Sequence, residues 1–306
     1  MSNVPATGVH FGDLLDPRFQ EIWDAEYPQH QDMISTFFRD EPTNGRDEMK
    51  FSSVGTMVDF EEWTGTVPYN AQFQGYDTRL IPLEYANGFQ IERKLYDDDQ
   101  YHVMDQKPRG LRASAFRTRQ KHAARIFNLA FVNDQYFYVN SEGVALCSDS
   151  HTTTSNAPTN AGFDNRLTGA LTATAVATAR RQMVQFRGDQ AEIISVTPDT
   201  LLYPVDLYEQ AYEIISSAGK LDTANNNPNV HQGRYEGIEW NYLTSPTNWF
   251  MIDSVLMKQF LVWTDRIELE FGSAEEFDTY VAKWRAYMRY GNAWTNWRWI
   301  IGSEVS

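Results

Sequence analysis

LRASAFRTRQKHAARIFNLAF, residues 111–131, is the stretch on which the reading of this chain turns. Leu111, Ala115, Ala123, Ile126, Phe127 and Ala130 recur at helical spacing, which predicts one long helix with an apolar stripe and basic side chains largely elsewhere. Pro108 and Gly110 mark its expected start. Seven of the 26 basic residues lie between Lys107 and Arg125 (Lys107, Arg109, Arg112, Arg117, Arg119, Lys121, Arg125), with no Asp or Glu among them. Just upstream stand Asp97, Asp98 and Asp99. Opposed blocks of this kind can form complementary faces on neighbouring copies of one chain, where they set register more than affinity. The plainer reading is a solvated helix face.

Upstream of the helix, residues 51–93 read as a long hairpin. Val54, Thr56, Val58 and Phe60 alternate with polar partners, and Leu83, Tyr85, Phe89 and Ile91 do the same. Trp63–Arg79 between them, rich in Gly, Pro, Gln, Tyr and Thr, is expected to be a loop or tip. Two isolated strands of this length are marginal in water, so the hairpin needs a surface, and the favoured one belongs to the next copy. Its contact candidates are Trp63, Tyr69, Phe73, Tyr76 and Arg79; on the helix side they are Asp97, Asp98, Asp99, Arg112, Arg117 and Arg119. Residues 1–50 form a polar lead-in. It holds a short amphipathic helix, about Pro17–Tyr27, capped by Asp16, with Phe19, Ile22 and Trp23 as its apolar face. A second apolar run, Met33–Phe38, follows. This segment is too polar to make its own core and is expected to lie on something else, held by neighbours.

Downstream, Asn140–Gly143 is a predicted turn before Val144–Leu146, and Ser148–Asn165 a surface loop. A helix is predicted over Thr168–Phe186 and a short buried strand at Ile193–Val196. A second helix is expected over about Val205–Ser216, stopped by Gly219, with an Asn-rich turn at Asn225–Asn229. The remainder reads as short strands: Glu239–Leu243, Trp249–Ile252, Ile267–Phe271, Tyr280–Tyr290 and Trp297–Ile301. The long aromatic ones should pack against the basic helix.

No catalytic signature interrupts this order. Cys147, Asp149 and His151 lie close in sequence, but triads are assembled from separated elements, so a buried cysteine beside a turn histidine is the better reading. The six histidines never fall at metal-ligand spacing, and carboxylate pairs are inevitable among 41 acidic residues. No catalytic, cofactor or metal residue is therefore assigned. The late tryptophans Trp284, Trp294, Trp297 and Trp299 could stack on sugars; core or interface packing is the simpler role. A net charge of −15 argues against a general nucleic-acid binder. One cysteine excludes an intramolecular disulfide, no apolar run spans a bilayer, and the start lacks a secretory pattern. Cytoplasmic production is the simple expectation.

With the segments placed, the chain resembles the major capsid proteins of tailed bacteriophages, most of all the major head subunits of Mu-like phages and prophages, with the Hong Kong 97 fold. The resemblance rests on the order of arm, extended loop and spine helix, on NSEGVALCSDSH (residues 140–151), on LTATAVATARRQMVQFRG (171–188) leading into IISVTPDTLL (193–202), on Asn248–Phe250, and on the arginine-bearing strand Trp297–Ile301. Cys147 stands where that family usually has Phe, which looks like a packing change.

The resemblance implies an α+β fold divided into an amino-terminal arm (1–50), an extended loop (51–93), a peripheral domain with the spine helix (94–167), an axial domain (168–271) and carboxyl-terminal strands returning to the peripheral domain (272–306). It implies hexamers and pentamers of an icosahedral shell around double-stranded DNA, assembled in the host cytoplasm. Portal, scaffolding and decoration proteins would be partners, and DNA contact would be weak. The family's helical scaffolding segment does not precede the arm here, so either a separate scaffolding protein acts or the segment was removed; the retained Met1 favours the former. Some relatives crosslink through a loop lysine; Trp63–Arg79 contains none, so that chemistry is not expected. The rival readings are an encapsulin-type compartment and, further off, a carbohydrate-active enzyme.

Overall fold

The computed structural model describes residues 19–24, 32–67, 69–92, 94, 103–155, 157–219, 228–276 and 281–305. The two longest strands organise it. β10 (Leu261–Glu276) and β11 (Val281–Trp294) run antiparallel from Leu261 opposite Trp294 to Glu276 opposite Val281, with register shifts between Asp265 and Glu270. β4 (Leu83–Glu92) pairs antiparallel with β11 along its length, and the two-residue β1 (Arg39–Asp40) runs parallel to the start of β10. One face of this ribbon is apolar: Phe89, Ile91, Phe271, Trp284 and Ala286.

A short helix of the lead-in lies on that face, and a second one packs elsewhere in the core. α1, residues 19–24, sets Phe19 edge-on against Trp284 at 5.0 Å between ring centroids and stacks Trp23 on Phe271 at 4.6 Å. Both side chains are buried, and each such aromatic contributes about 2–3 kcal/mol. This part of the lead-in is thus held by its own subunit, because the ribbon offers the apolar surface it lacks. α2 (Met33–Phe37), capped by the Asp32 side chain, buries Phe37 against Trp240 and Phe127. The Asp16 cap and Pro17 lie outside the described residues.

The basic segment forms α3, Gln106–Asn128. It starts two residues before Pro108, because first-turn N–H groups have no helical partner and proline costs nothing there. It ends before Phe131. At 23 residues it is about 34 Å long, and it packs against β11 as expected. Leu111 meets Ala286, and His122 Nδ1 lies 2.8 Å from the Tyr290 hydroxyl.

The hairpin differs from the sequence reading. β2 (Met49–Val54) pairs not with β4 but with β3 (Gln74–Leu80), inside the expected loop, and β5 (Tyr138–Asn140) covers the other edge of β3. QGYDTRL looks like a loop because it is polar. It is a strand because its last three residues are paired on both sides, by β2 and by β5, with Thr78 and Leu80 buried. Ile81-Pro82 then breaks the run, and the chain crosses into the ribbon. Thr56, Val58 and Phe60 are not in a strand.

The third sheet has five strands in the order β6-β12-β9-β7-β8: Arg166–Leu167, Ile300–Ser303, Trp249–Ile252, Thr200–Tyr203 and Glu236–Glu239. Its central strands β12, β9 and β7 are wholly buried. α4 (Ala173–Val184), capped by Thr172, lays Val176, Ala179 and Met183 on this core, and α5 (Tyr208–Ser216) follows β7. Ile193–Val196 is not a strand. Ile193 is 67% exposed, and the tight turn at 188–192, with Ala191 at φ 64°, gives it a single bridge to Arg187 rather than a strand. The buried strand is its successor, β7. α6 (Ser254–Phe260) interrupts the expected strands, started by the Asp253 carboxylate, which accepts from the Val255 and Leu256 amides. Asn225–Asn227 lie outside the described residues; Asn229 donates to the Ile214 and Ser217 carbonyls and closes α5.

Candidate assembly surfaces

The tip of the β2–β3 hairpin, residues 57–72, projects from a root that its own subunit holds at both strands. Gly55 N donates to Phe73 O at 2.8 Å, and Asp189 N donates to Thr56 Oγ1 at 2.7 Å. The Asp189 carboxylate accepts from Arg298 Nη2 at 3.0 Å, while Arg298 Nε donates to Arg187 O at 2.6 Å and the guanidinium lies over the Trp297 ring. On the return strand, Thr154 Oγ1 donates to Gln74 O at 2.6 Å, and the Tyr76 and Thr152 hydroxyls meet at 2.6 Å.

Beyond the root the described loop side chains are exposed. Phe60 is fully exposed, Tyr69 is 94% exposed and Trp63 67%, with Met57 and Val67 also in solvent. Met57, Phe60, Val67 and Tyr69 line a hollow of about 290 Å³. Asp59, Glu61 and Glu62 are exposed beside them, and residues 55–73 contain no Lys or Arg. A cluster of exposed aromatic and aliphatic side chains marks a contact surface.

The remaining sequence candidates divide. Phe73 and Tyr76 are half-buried at the root, and Arg79 pairs with Glu48 at 3.6 Å, so these three serve the base of the hairpin rather than its tip. Asp97, Asp98 and Asp99 lie outside the described residues. On α3, Arg117 is exposed and has no ion pair among the described residues. Arg119 and Arg112 do not form an outward face: Arg119 makes a two-point pair with Asp265, and Arg112 donates to the Trp23 carbonyl. Arg125 is likewise bound to Asp134 and lies over Tyr136. A half-buried cation beside the aromatic ribbon is stabilised by ring faces and carboxylates that local sequence does not reveal.

Cys147 is buried, and burial pushes its thiol far above the ordinary range. His151 does not serve it: Nδ1 lies 3.0 Å from Glu142 Oε1, Nε2 faces the Leu146 carbonyl, and the ring stacks on Trp297 at 4.3 Å. The loop that carries His151 is therefore partly core, with Phe163 and Asn165 also buried. The sequence reading noted the arginine-bearing strand Trp297–Ile301 but missed the pairing of its Arg298 with Asp189, 109 residues away with no local signal. It also missed the exposed pair Tyr208 and Tyr212, stacked on the outer face of α5. Their i, i+4 spacing opposite buried Ala211 and Ile214 was a usable signal. No helix among the described residues is long and apolar enough to cross a membrane.

Comparison with known families fits this architecture. A model of the family described as phage capsid protein matches residues 76–302, well over half of the chain. This chain belongs to the phage capsid protein family. Solved shells show the same fold. The mature capsid of bacteriophage PhiM1 aligns with a TM-score of 0.60 at 9% identity, covering 92% of this chain and 89% of that one. The capsid of cyanophage Pam1 gives 0.58 at 9% identity (92% and 93%), and that of Ralstonia phage GP4 gives 0.57 at 10% (92% and 93%). No curated protein matches by sequence. The capsid subunit is thus an α+β protein of the Hong Kong 97-like class, a structural component of a virion shell built from many copies, and not an enzyme.

Proposed function

We propose that the chain is the principal subunit of an icosahedral head, arranged in hexamers and pentamers around double-stranded DNA and assembled in the host cytoplasm. The observation that carries this reading is the exposed apolar tip at 57–72 on a root fixed by its own subunit. Such a tip reaches burial only on another molecule, and in a capsid family that molecule is first another copy. The segments then take the roles of arm (1–50), extended loop (51–93), peripheral domain (94–167), axial domain (168–271) and returning strands (272–306). Scaffolding, portal and decoration proteins are the further partners of such a subunit. The net charge of −15 favours weak, sequence-independent contact with packaged DNA through like-charge repulsion.

The test keeps β2 and β3 intact, since the strand at 74–80 is central in its sheet. Replacing residues 57–72 by a short glycine-bearing turn should leave a folded subunit that forms no closed shells in negative-stain microscopy. Normal shells from that variant would defeat the reading. Nucleic acid inside purified wild-type shells is expected; shells holding only protein would point to a protein-filled compartment.

A further inference from the structure

The chain contains two Asn-Gly pairs, Asn44-Gly45 and Asn87-Gly88. Such a pair is chemically labile, because glycine has no Cβ to keep its amide nitrogen away from the preceding side chain. That nitrogen can attack the asparagine amide carbon. The sequence treats the two pairs alike, but their surroundings differ.

Asn44 stands in a tight turn. Its φ is 48° and that of Gly45 is 85°, Arg46 N closes the turn on Thr43 O at 3.1 Å, and Arg266 Nη2 holds the Gly45 carbonyl at 3.0 Å. At the ψ of about +47° that accompanies the left-handed region, the next amide points away from Cβ across the Cα–C bond. Reaction at Asn44 therefore requires the turn to open first.

Asn87 lies in β4, an edge strand of its sheet among the described residues. Gly88 pairs with Arg285 of β11, and a Cβ on it would come within 2.5 Å of the Trp284 carbonyl oxygen, so glycine is required there and the labile pair is built into the strand. The Gly88 N–H donates to Asn87 Oδ1 at 2.8 Å, which places the attacking nitrogen beside the side-chain amide it must reach. Intramolecular attack is favoured when the reacting atoms are held at about 3–3.5 Å. Water has access as well: Asn87 and Gly88 are exposed, and Asn87 lines an open gap of about 180 Å³ between α3 and the ribbon, together with Ser114 and Thr118.

We infer that Asn87-Gly88 is a site of spontaneous covalent change in the native subunit, and that Asn44-Gly45 is protected by its turn. The Gly88 nitrogen gives up its proton to solvent base and bonds to Asn87 Cγ. The Cγ–Nδ2 bond breaks, ammonia departs, and a cyclic imide remains. Water then adds to either imide carbonyl, giving aspartate or the isomer whose main chain runs through the side-chain carbons. Both products put a carboxylate at the gap, beside a helix whose exposed Lys107, Arg117 and Lys121 have no ion pair among the described residues. The isomer also lengthens β4 by one methylene opposite Ala286, a change that a strand paired on one side can absorb.

The test is peptide mass mapping of the unassembled wild-type chain held in mildly alkaline buffer, with a digestion that separates aspartate from its isomer. Asn87 should convert at least tenfold faster than Asn44 in the native protein. In urea the two rates should come within threefold of each other, because the turn and the strand are then both gone. Equal native rates, faster loss at Asn44, or an Asn87 that reacts only after unfolding would each overturn the assignment. In Asn87→Gln, whose longer side chain closes a less favourable ring, conversion at 87 should fall at least tenfold while Asn44 keeps its wild-type rate. Undiminished conversion at 87 in that variant would also overturn it. The measurement reads the single subunit, so its outcome is independent of the shell reading.

Discussion

Arg119 and Asp265, 146 residues apart, meet in a two-point ion pair: Nη1 to Oδ1 and Nη2 to Oδ2, each at 2.8 Å. The guanidinium also lies 5.3 Å from the Trp263 ring centroid and 5.4 Å from that of Tyr290, and Trp263 Nε1 donates to Asp265 Oδ2 at 3.1 Å. The pair fastens the middle of α3 to β10 just where its register with β11 slips. Removing one partner leaves the other charge half-buried. Arg119→Ala should therefore destabilise the soluble subunit by about 2–3 kcal/mol in urea unfolding. Arg117→Glu, on the exposed side, should stay within about 0.5 kcal/mol of wild type. Equal effects from the two would show that the pair contributes nothing to the fold.

Asp189 joins the loop root to the residues just before β12: its backbone amide donates to Thr56 Oγ1, and its carboxylate accepts from Arg298. Replacing it with Ala removes the carboxylate and leaves the Arg298 guanidinium, almost wholly buried, without its counter-charge. Backbone amides at 55–58 and 71–73 should then exchange hydrogen at least tenfold faster, while α3 amides are unchanged. Uniform acceleration across the chain would mean general destabilisation instead.

His122 gives a pH dependence with a defined sign. Burial, and then the charge of Arg125, lowers its pKa from 6.5 to about 4, and it sits among Tyr85, Tyr136, Phe137 and Tyr290. Between pH 6.5 and 4 the unfolded chain binds the proton and the folded chain does not. Stability from this site is therefore complete above 6.5 and falls as the pH drops through that window. Because the ring is only partly buried, the expected loss is on the order of 1 kcal/mol. The acid limb of a stability–pH curve should flatten by that amount in His122→Gln; an unchanged slope would remove the histidine from the account.

Cys147 should resist thiol reagents in the native subunit. Its sulfur is enclosed, with Phe131 and the Gly302 backbone nearby, and burial holds the thiol protonated. Labelling should follow global unfolding, with rates that rise in parallel with urea. Fast labelling in buffer would show that this core opens locally.

Much of this architecture was legible in the sequence because its signals are local. The stripe from Leu111 to Phe127 and the helical pattern within Thr168–Phe186 declare their helices through near-neighbour geometry, and Trp249–Ile252 declares itself as an unbroken apolar strand. The apolar faces of Phe19 and Trp23 announced that they needed a surface. Exposure of Trp63 and Tyr69 also followed from a loop without alternation. Pairing did not follow. β2 takes β3 rather than β4 because strand partnership depends on which edges remain open once the ribbon forms, a property of the whole fold. The same holds for charge. Seven basic residues in one segment fixed a basic helix, but only tertiary contact decided that Arg119 and Arg125 face their own carboxylates while Arg117 faces outward. Local periodicity is carried by bonds a few residues apart; partner choice is carried by surfaces that can be as distant in sequence as Arg119 and Asp265, 146 residues, and those exist only after the chain has folded.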